Sequence, residues 1–258
     1  MDKQPLCGRY EYQVNSYLTD VKKQLSLPGL FYMLQESAII HAETHNFGWA
    51  ALSESNCFWA LSRIKAQIDD YPLWKDSIFV ETWSKGPDSI MAYRDFEVFT
   101  MDNKKILSAT SAWLMLNLET RKPQRIALLK DKFPDPYDRN ALDIRLEKLP
   151  QHSVTTSDYT VNTVLYSAID INGHVNNTLY IQWVIDSFPF DYILNHEVYD
   201  IEINYLQEAR ANQQYYVVIE ELLPDEYLCS VVRCPDNKEL SRMMLKFRKK
   251  KSSLAHLL

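Results

Sequence analysis

Apolar side chains recur along this chain at two spacings, and the spacings divide it into helix and strand. Leu27, Leu30, Phe31, Leu34 and Ala38 fall at helical spacing and line one face of a helix. Ser26 stands where that helix needs a cap, and Pro28 falls in its first turn. Downstream, residues 78–83, 93–100 and 108–117 are rich in β-branched and aromatic side chains and read as strands. The second half repeats the order. Val175, Leu179 and Trp183 form the equivalent helical stripe, and residues 200–206, 215–221, 227–233 and 243–247 read as strands. A strand, a long helix and then several antiparallel strands, taken twice, predict an α+β fold.

Short echoes support a duplication. Tyr12-Gln13-Val14-Asn15 returns as Tyr159-Thr160-Val161-Asn162, and the turn Asp102-Asn103-Lys104 returns as Asp236-Asn237-Lys238. Pro134, Pro136 and Pro150, set among dense charge, mark a connector. The expected organisation is an N-terminal domain over 1–128, a linker over 129–151 ordered against the surface, and a C-terminal domain over 152–258. Aligning the Tyr-x-Val-Asn echoes without gaps sets Lys23, Leu25 and Leu27 opposite Asp170, Asn172 and His174. On that alignment an apolar first half faces a polar second half, and the chemistry belongs to the second.

The 258 residues are 46% hydrophobic and 24% charged, which suits a globular protein with ample chain to bury a core. No apolar run approaches the ~20 residues that span a bilayer, so membrane insertion is not expected. The opening Met1-Asp2-Lys3-Gln4-Pro5 lacks the apolar core of a secretory signal, and the expected compartment is the cytoplasm. Cys7, Cys57, Cys229 and Cys234 are scattered, with no C-x-x-C pair and no histidine at zinc-ligand spacing, so neither a metal nor a disulfide framework is expected. His41, Glu43 and His45 follow the first helix without a third ligand besides the histidines, which favours a surface or structural role. His152, His196 and His256 have no recognisable setting. The net charge of -6 argues against nucleic acid as the main partner.

Reactive groups gather in Asp170-Ile171-Asn172-Gly173-His174-Val175-Asn176-Asn177-Thr178-Leu179-Tyr180. A carboxylate and an imidazole exchange protons near neutral pH, and amides orient a carbonyl or a water. Gly173 allows a tight turn or a close approach, and one of the asparagines can cap the following helix. Taken alone, these residues also fit a polar capping loop with a surface histidine. The spacing D-x-N-x-H-V-N-N-x-x-Y, however, resembles the active-site segment of the acyl-acyl carrier protein thioesterases. Ile203-Asn204-Tyr205-Leu206-Gln207-Glu208-Ala209 resembles a second segment of that family, and Ala109 to Asn117 with Thr120-Arg121 resembles the last strand of its N-terminal half. The resemblance covers nearly the whole chain in order.

The resemblance implies a double hotdog fold, two tandem domains in which each antiparallel sheet wraps a long central helix. It implies hydrolysis of fatty acyl-[acyl carrier protein] to free fatty acid and holo carrier, with acyl carrier protein as partner and no cofactor. By motif position, Asp170, Asn172, His174 and Glu208 are the candidate catalytic residues. The backbone N–H groups around Gly173 and Val175, at the start of the helix, are candidate oxyanion donors. Either Glu208 or Asp170 acts as general base on a water while His174 and Asn172 orient water and substrate, or Asp170 attacks the carbonyl and forms an anhydride. Ala209 stands where many plant members carry cysteine, so a thiol nucleophile is excluded there and carboxylate chemistry is expected. The first domain would hold the acyl chain, with Trp49, Phe58 and Trp59 as candidate pocket residues. An acidic carrier needs a basic patch on this acidic chain; Lys104-Lys105, Arg121-Lys122 with Arg125, and residues 242–251 are the candidates. The alternatives are a hotdog thioesterase acting on coenzyme A esters and a non-catalytic module that binds acyl thioesters. The duplicated fold is compatible with a monomer or a homodimer.

Overall fold

A computed structural model of the chain describes residues 6–88, 90–126, 137–152 and 159–250. The chain divides into two compact units, the first ending at Leu146 and the second beginning at Glu147.

The first unit runs β1 (Cys7–Gln13), a 3-10 turn (Ser16–Leu18), α1 (Leu27–Thr44), α2 (Trp49–Ser53), β2 (Cys57–Ile68), β3 (Ser77–Asp88), β4 (Met91–Thr100) and β5 (Lys105–Asn117). Its strands are antiparallel in the order β1-β3-β4-β5-β2. Ser26 caps α1 by accepting the Gly29 N–H at 3.1 Å. The helix buries Leu27, Leu30, Phe31, Leu34 and Ala38, the stripe read from the sequence, together with Met33 and Ala42. Side chains alternate across each strand, so β3 buries Ile78, Val80 and Thr82 on one face while Trp83 points to the other. On that second face residues 137–146 lie across the sheet. The Trp83 indole N–H donates to the Arg139 carbonyl at 2.8 Å, Asp95 accepts the Ala141 N–H at 2.8 Å, and Arg63 donates to the Leu146 carbonyl at 2.7 Å.

The second unit runs β6 (Asn162–Thr163), a 3-10 turn (Tyr166–Ala168), α3 (Asn177–Ile185), α4 (Phe190–Asn195), β7 (His196–Tyr205), β8 (Gln214–Leu223), β9 (Glu226–Arg233) and β10 (Lys238–Lys249). The strand order is β7-β10-β9-β8-β6, again antiparallel. Residues 147–152 lie across this sheet as 137–146 do across the first. Leu149 donates its N–H to Asn204 at 2.9 Å and accepts from Arg242 at 2.8 Å, while His152 bridges Glu220 and Ser230 at 3.1 and 2.8 Å. The division between Leu146 and Glu147 thus falls within residues 129–151, and 127–136 lie outside the described residues.

A helix and an antiparallel sheet, present twice, make the α+β hotdog arrangement. The second helix is shorter than its counterpart, nine residues against 18. Pro189, at the N-cap of α4, disfavours helical backbone before it and ends the run early. The buried stripe of α3 is also not the one expected. Val175 precedes the cap residue Asn176, Leu179 and Trp183 are only half-buried, and Thr178, Tyr180, Ile181 and Val184 face the core. Asn176 caps the helix, so Val175, though buried, lies outside it and does not belong to its stripe.

The duplication is closer than the short echoes suggest, and in a different register. Val14 matches Val164, not Val161. Val14 donates to the Asp76 carbonyl as Val164 does to that of Gln213, both at 2.8 Å, and Lys75 and Asn212 return the bond to them at 2.9 Å. From there the backbones run in parallel through the 3-10 turns to the caps Ser26 and Asn176. Asp20, Lys22 and Gln24 therefore stand opposite Asp170, Asn172 and His174. The ungapped match to Lys23, Leu25 and Leu27 is corrected, and the first unit is polar at these positions too.

Candidate active site

Between the 3-10 turn and α3 of the second unit the chain doubles back on itself. Ile169 pairs with Val175, the Asp170 N–H donates to the His174 carbonyl at 2.8 Å, and the Gly173 N–H donates to the Asp170 carbonyl at 3.0 Å. The turn needs a left-handed residue, and Gly173 supplies it at φ 75 with open space where a Cβ would stand. One oxygen of Asp170 accepts the Asn172 N–H at 2.8 Å and the other lies 3.4 Å from the Asn172 side-chain amide. Asn176 then caps α3, accepting the N–H and the hydroxyl of Thr178 at 3.0 and 2.8 Å.

Glu208 arrives from the segment after β7. Its carboxylate lies 3.3 Å from His174 Nε2, with the glutamate side chain 35% exposed and the histidine 14%. Two backbone links hold this segment against the helix start. Val175 donates its N–H to the Ala209 carbonyl at 3.0 Å, and Ala209 donates its own N–H to the Tyr180 hydroxyl at 3.0 Å. Tyr180 is buried, and burial raises its phenol well above the ordinary value, with the charges of Glu208 and Asp170 adding to the effect. The hydroxyl therefore stays protonated at any working pH. Beneath it, Tyr205 meets the Tyr180 ring edge-on and donates to the Asn177 carbonyl at 3.1 Å.

The four candidate catalytic residues, Asp170, Asn172, His174 and Glu208, thus occupy one loop and the segment tied to it. An imidazole against a partly solvated carboxylate can relay a proton, and the neighbouring amide can orient a carbonyl. The expected oxyanion donors stand differently. The N–H groups of Gly173 and Val175 are both already engaged, with the Asp170 and Ala209 carbonyls, so in this arrangement neither is open to a substrate oxygen.

The aromatic pocket candidates do not form one group. Phe58 and Trp59 are neighbours on β2 and so point to opposite faces of the sheet. Phe58 is buried with the Arg121 guanidinium 4.5 Å from its ring centre, Trp59 donates to the Phe47 carbonyl at 2.8 Å, and Trp49 is 59% exposed on α2. Five of the basic candidates are paired with carboxylates, and residue 251 lies outside the described residues. Lys104 pairs with Asp70 at 2.9 Å, Lys105 with Glu97 at 3.0 Å, Lys246 with Glu226 at 3.0 Å, Arg248 with Glu197 at 2.8 Å, and Arg242 with Glu239. His41 is buried at the end of α1, and Glu43 caps α2 through the Trp49 N–H. His196 donates from Nδ1 to the Tyr192 carbonyl within its own turn at 2.9 Å, and His256 lies outside the described residues. The four cysteines are free thiols. Among the described residues no helix is long and apolar enough to cross a membrane.

Sheet and helix in tandem, with an acid–base pair of side chains at the start of the second helix, define a two-domain hotdog protein. The sequence profile of the acyl-ACP thioesterase N-terminal domain matches residues 7–133 and that of the C-terminal domain residues 151–252. The chain belongs to the acyl-ACP thioesterase family. Among its relatives, a palmitoyl-acyl carrier protein thioesterase of Gossypium hirsutum is 29% identical over 210 residues, covering 77% of this chain and 51% of that protein. An oleoyl-acyl carrier protein thioesterase of Arabidopsis thaliana is 28% identical over 218 residues, 78% of this chain and 59% of that protein. The chain spans between about half and three-fifths of the length of these curated relatives. An acyl-ACP thioesterase structure from Bacteroides thetaiotaomicron matches with a TM-score of 0.80 and 28% identity, over 94% of this chain and 98% of that one. The 12:0-ACP thioesterase from Umbellularia californica shares the fold, with a TM-score of 0.81 at 22% identity, over 97% of this chain and 100% of that one.

Proposed function

We propose that this chain hydrolyses fatty acyl thioesters of acyl carrier protein, releasing the free fatty acid and the carrier thiol. The observation that carries the reading is the His174–Glu208 pair, 3.3 Å apart beside the Asp170 loop and partly open to solvent. Family membership supplies the substrate class. Water would attack the carbonyl carbon while Glu208, paired with His174, takes its proton. The carbon–sulfur bond would then break, and the departing sulfur would take a proton back from the same pair. Asp170 is read as the residue that shapes the loop and holds Asn172 toward the substrate. Support comes from Asp20, which makes the same bonds in the first unit: its carboxylate accepts the Lys22 N–H at 2.8 Å, and its N–H donates to the Gln24 carbonyl at 2.8 Å.

The test is release of free acid and thiol from carrier protein loaded with saturated chains of several lengths, beside the matching coenzyme A esters. Glu208→Gln is expected to lower kcat by at least ~100-fold, within the range for loss of a general base. Release from coenzyme A esters alone would move the substrate class to the coenzyme A thioesterases. Binding of acyl carrier protein without release would make the chain an acyl-binding module.

A further inference from the structure

Tyr180 belongs to the reactive segment, yet the chemistry above gives it no part. It is 2% exposed, and its hydroxyl accepts the N–H of Ala209, the residue that follows Glu208. That N–H belongs to the Glu208–Ala209 peptide, so the bond fixes the rotation of the peptide from which the Glu208 side chain is hung.

The duplicated unit provides an internal control. Leu25 donates to the Pro72 carbonyl at 2.8 Å where Val175 donates to the Ala209 carbonyl, so Pro72 is the counterpart of Ala209 and Tyr71 the counterpart of Glu208. Counting from the caps Ser26 and Asn176, the counterpart of Tyr180 is Leu30. Proline has no N–H to satisfy, and there the helix carries leucine, buried and without a polar atom. Where the position is alanine, with a buried N–H, the helix carries tyrosine, whose hydroxyl receives it. A buried donor needs a partner, but any residue lacking an N–H would also have met that need, as Pro72 does. The second unit instead keeps a peptide that can be oriented, and a side chain that orients it, at the one place where the next residue back is Glu208.

We infer that Tyr180 is a positioning residue that sets Glu208 against His174 through the Ala209 N–H, an inference that rests on the reading of those two residues as the proton-handling pair. Tyr180 acts through its hydroxyl alone, so Tyr180→Phe removes the function and keeps the ring that packs against Tyr205 and Trp183 at 5.8 and 5.3 Å.

Two measurements on the full chain test this. The first is steady-state hydrolysis of acyl carrier protein esters by wild type, Tyr180→Phe and Tyr216→Phe, the last losing a hydroxyl that donates to Asn237 at 3.1 Å. Tyr180→Phe should lower kcat by ~10-fold or more with KM within ~3-fold, the pattern of a misplaced catalytic group, while Tyr216→Phe stays at wild-type rates. The second is the ring-nitrogen NMR signals of His174, which report its contact with the carboxylate whether or not substrate turns over. They should move in Tyr180→Phe in the same sense as in Glu208→Gln. A lower melting temperature with unchanged kcat and unchanged His174 signals would make Tyr180 a packing residue and overturn the inference. A wild type that releases no acid from any thioester, with the His174 signals still moved by Tyr180→Phe, would overturn the functional reading and leave the positioning contact standing.

Discussion

His41 shows how a histidine that resembles a metal ligand in sequence becomes a core residue. It is fully buried on α1, Nδ1 lies 3.2 Å from the Arg94 guanidinium and Nε2 lies 3.1 Å from the Leu6 carbonyl. A guanidinium only donates, so Nδ1 must be the acceptor and Nε2 must carry the proton. Arg94 is buried as well, and its other hydrogen bond goes to the Thr82 hydroxyl at 3.0 Å. Burial first, then the charges of Arg94 and His45, hold the His41 imidazole down at about 3. The unfolded imidazole takes up its proton near 6.5, so acid favours the unfolded chain throughout the window from 6.5 down to 3. Stability should therefore be full above that window and fall across it by a few kcal/mol, read as the melting temperature against pH. In His41→Gln, which keeps an acceptor for Arg94 and cannot titrate, the fall between pH 6.5 and 4 should be visibly shallower. An equally steep fall in that variant would place the acid sensitivity elsewhere.

At the scale of the element, the short helix α3 does what the long helix α1 does with half the length, so its first turn matters more. A nine-residue helix is below the length that is stable alone, and its start depends on the cap. Asn176→Ala should cost about 1 kcal/mol, the usual loss for an N-cap, and should lower the melting temperature. Because Asn176 follows the His174-Val175 pair directly, the same variant should raise hydrogen exchange at residues 169–177 more than in the strands. Uniform loosening would argue against the cap as the anchor of this loop. The sequence made the long elements legible because they are periodic. The α1 stripe and the strands 78–83, 93–100 and 215–221 follow their apolar spacing, and the Asn103 and Asn237 turns are left-handed at φ 61 and 52, as asparagine in a tight turn allows. β2 escaped because a bulge between Leu61 and Arg63 breaks its alternation, and Cys57-Phe58-Trp59 reads as one apolar run. The helices α2 and α4, five and six residues long, are too short to show a period. In the site, Asp170, Asn172 and His174 were visible as one polar run. Glu208 came from the family spacing alone, since no local pattern ties it to His174, and the Ala209–Tyr180 bond had no sequence signal beyond the tyrosine that closes the motif.

Across the whole molecule, one arrangement is used twice, and the loop before the main helix keeps the same backbone bonds in both copies. Lys23 adopts the left-handed turn at φ 62 where Gly173 does at 75, and the Asp20 and Asp170 loops share their hydrogen bonds. The backbone of this loop therefore does not decide which unit carries the candidate set Asp170, Asn172, His174 and Glu208 and which carries Asp20, Lys22, Gln24 and Tyr71. Burial does. Glu208 keeps 35% of its side chain exposed, whereas Tyr71 is 7% exposed. A carboxylate at position 71 would lose its hydration on burial, while Lys22 and Gln24 keep access to water. The double variant Lys22→Asn/Gln24→His should fold and melt close to the wild type, because the turn already fits both units. Adding Tyr71→Glu should cost about 3 kcal/mol, or roughly 6–12 °C in melting temperature for a chain of this size. Raising the pH should widen that gap, since ionising a buried carboxyl is the costly step. If the triple variant instead melts with the double, burial at position 71 is not what keeps a carboxylate out of the first unit, and the difference must lie in how the two helices begin.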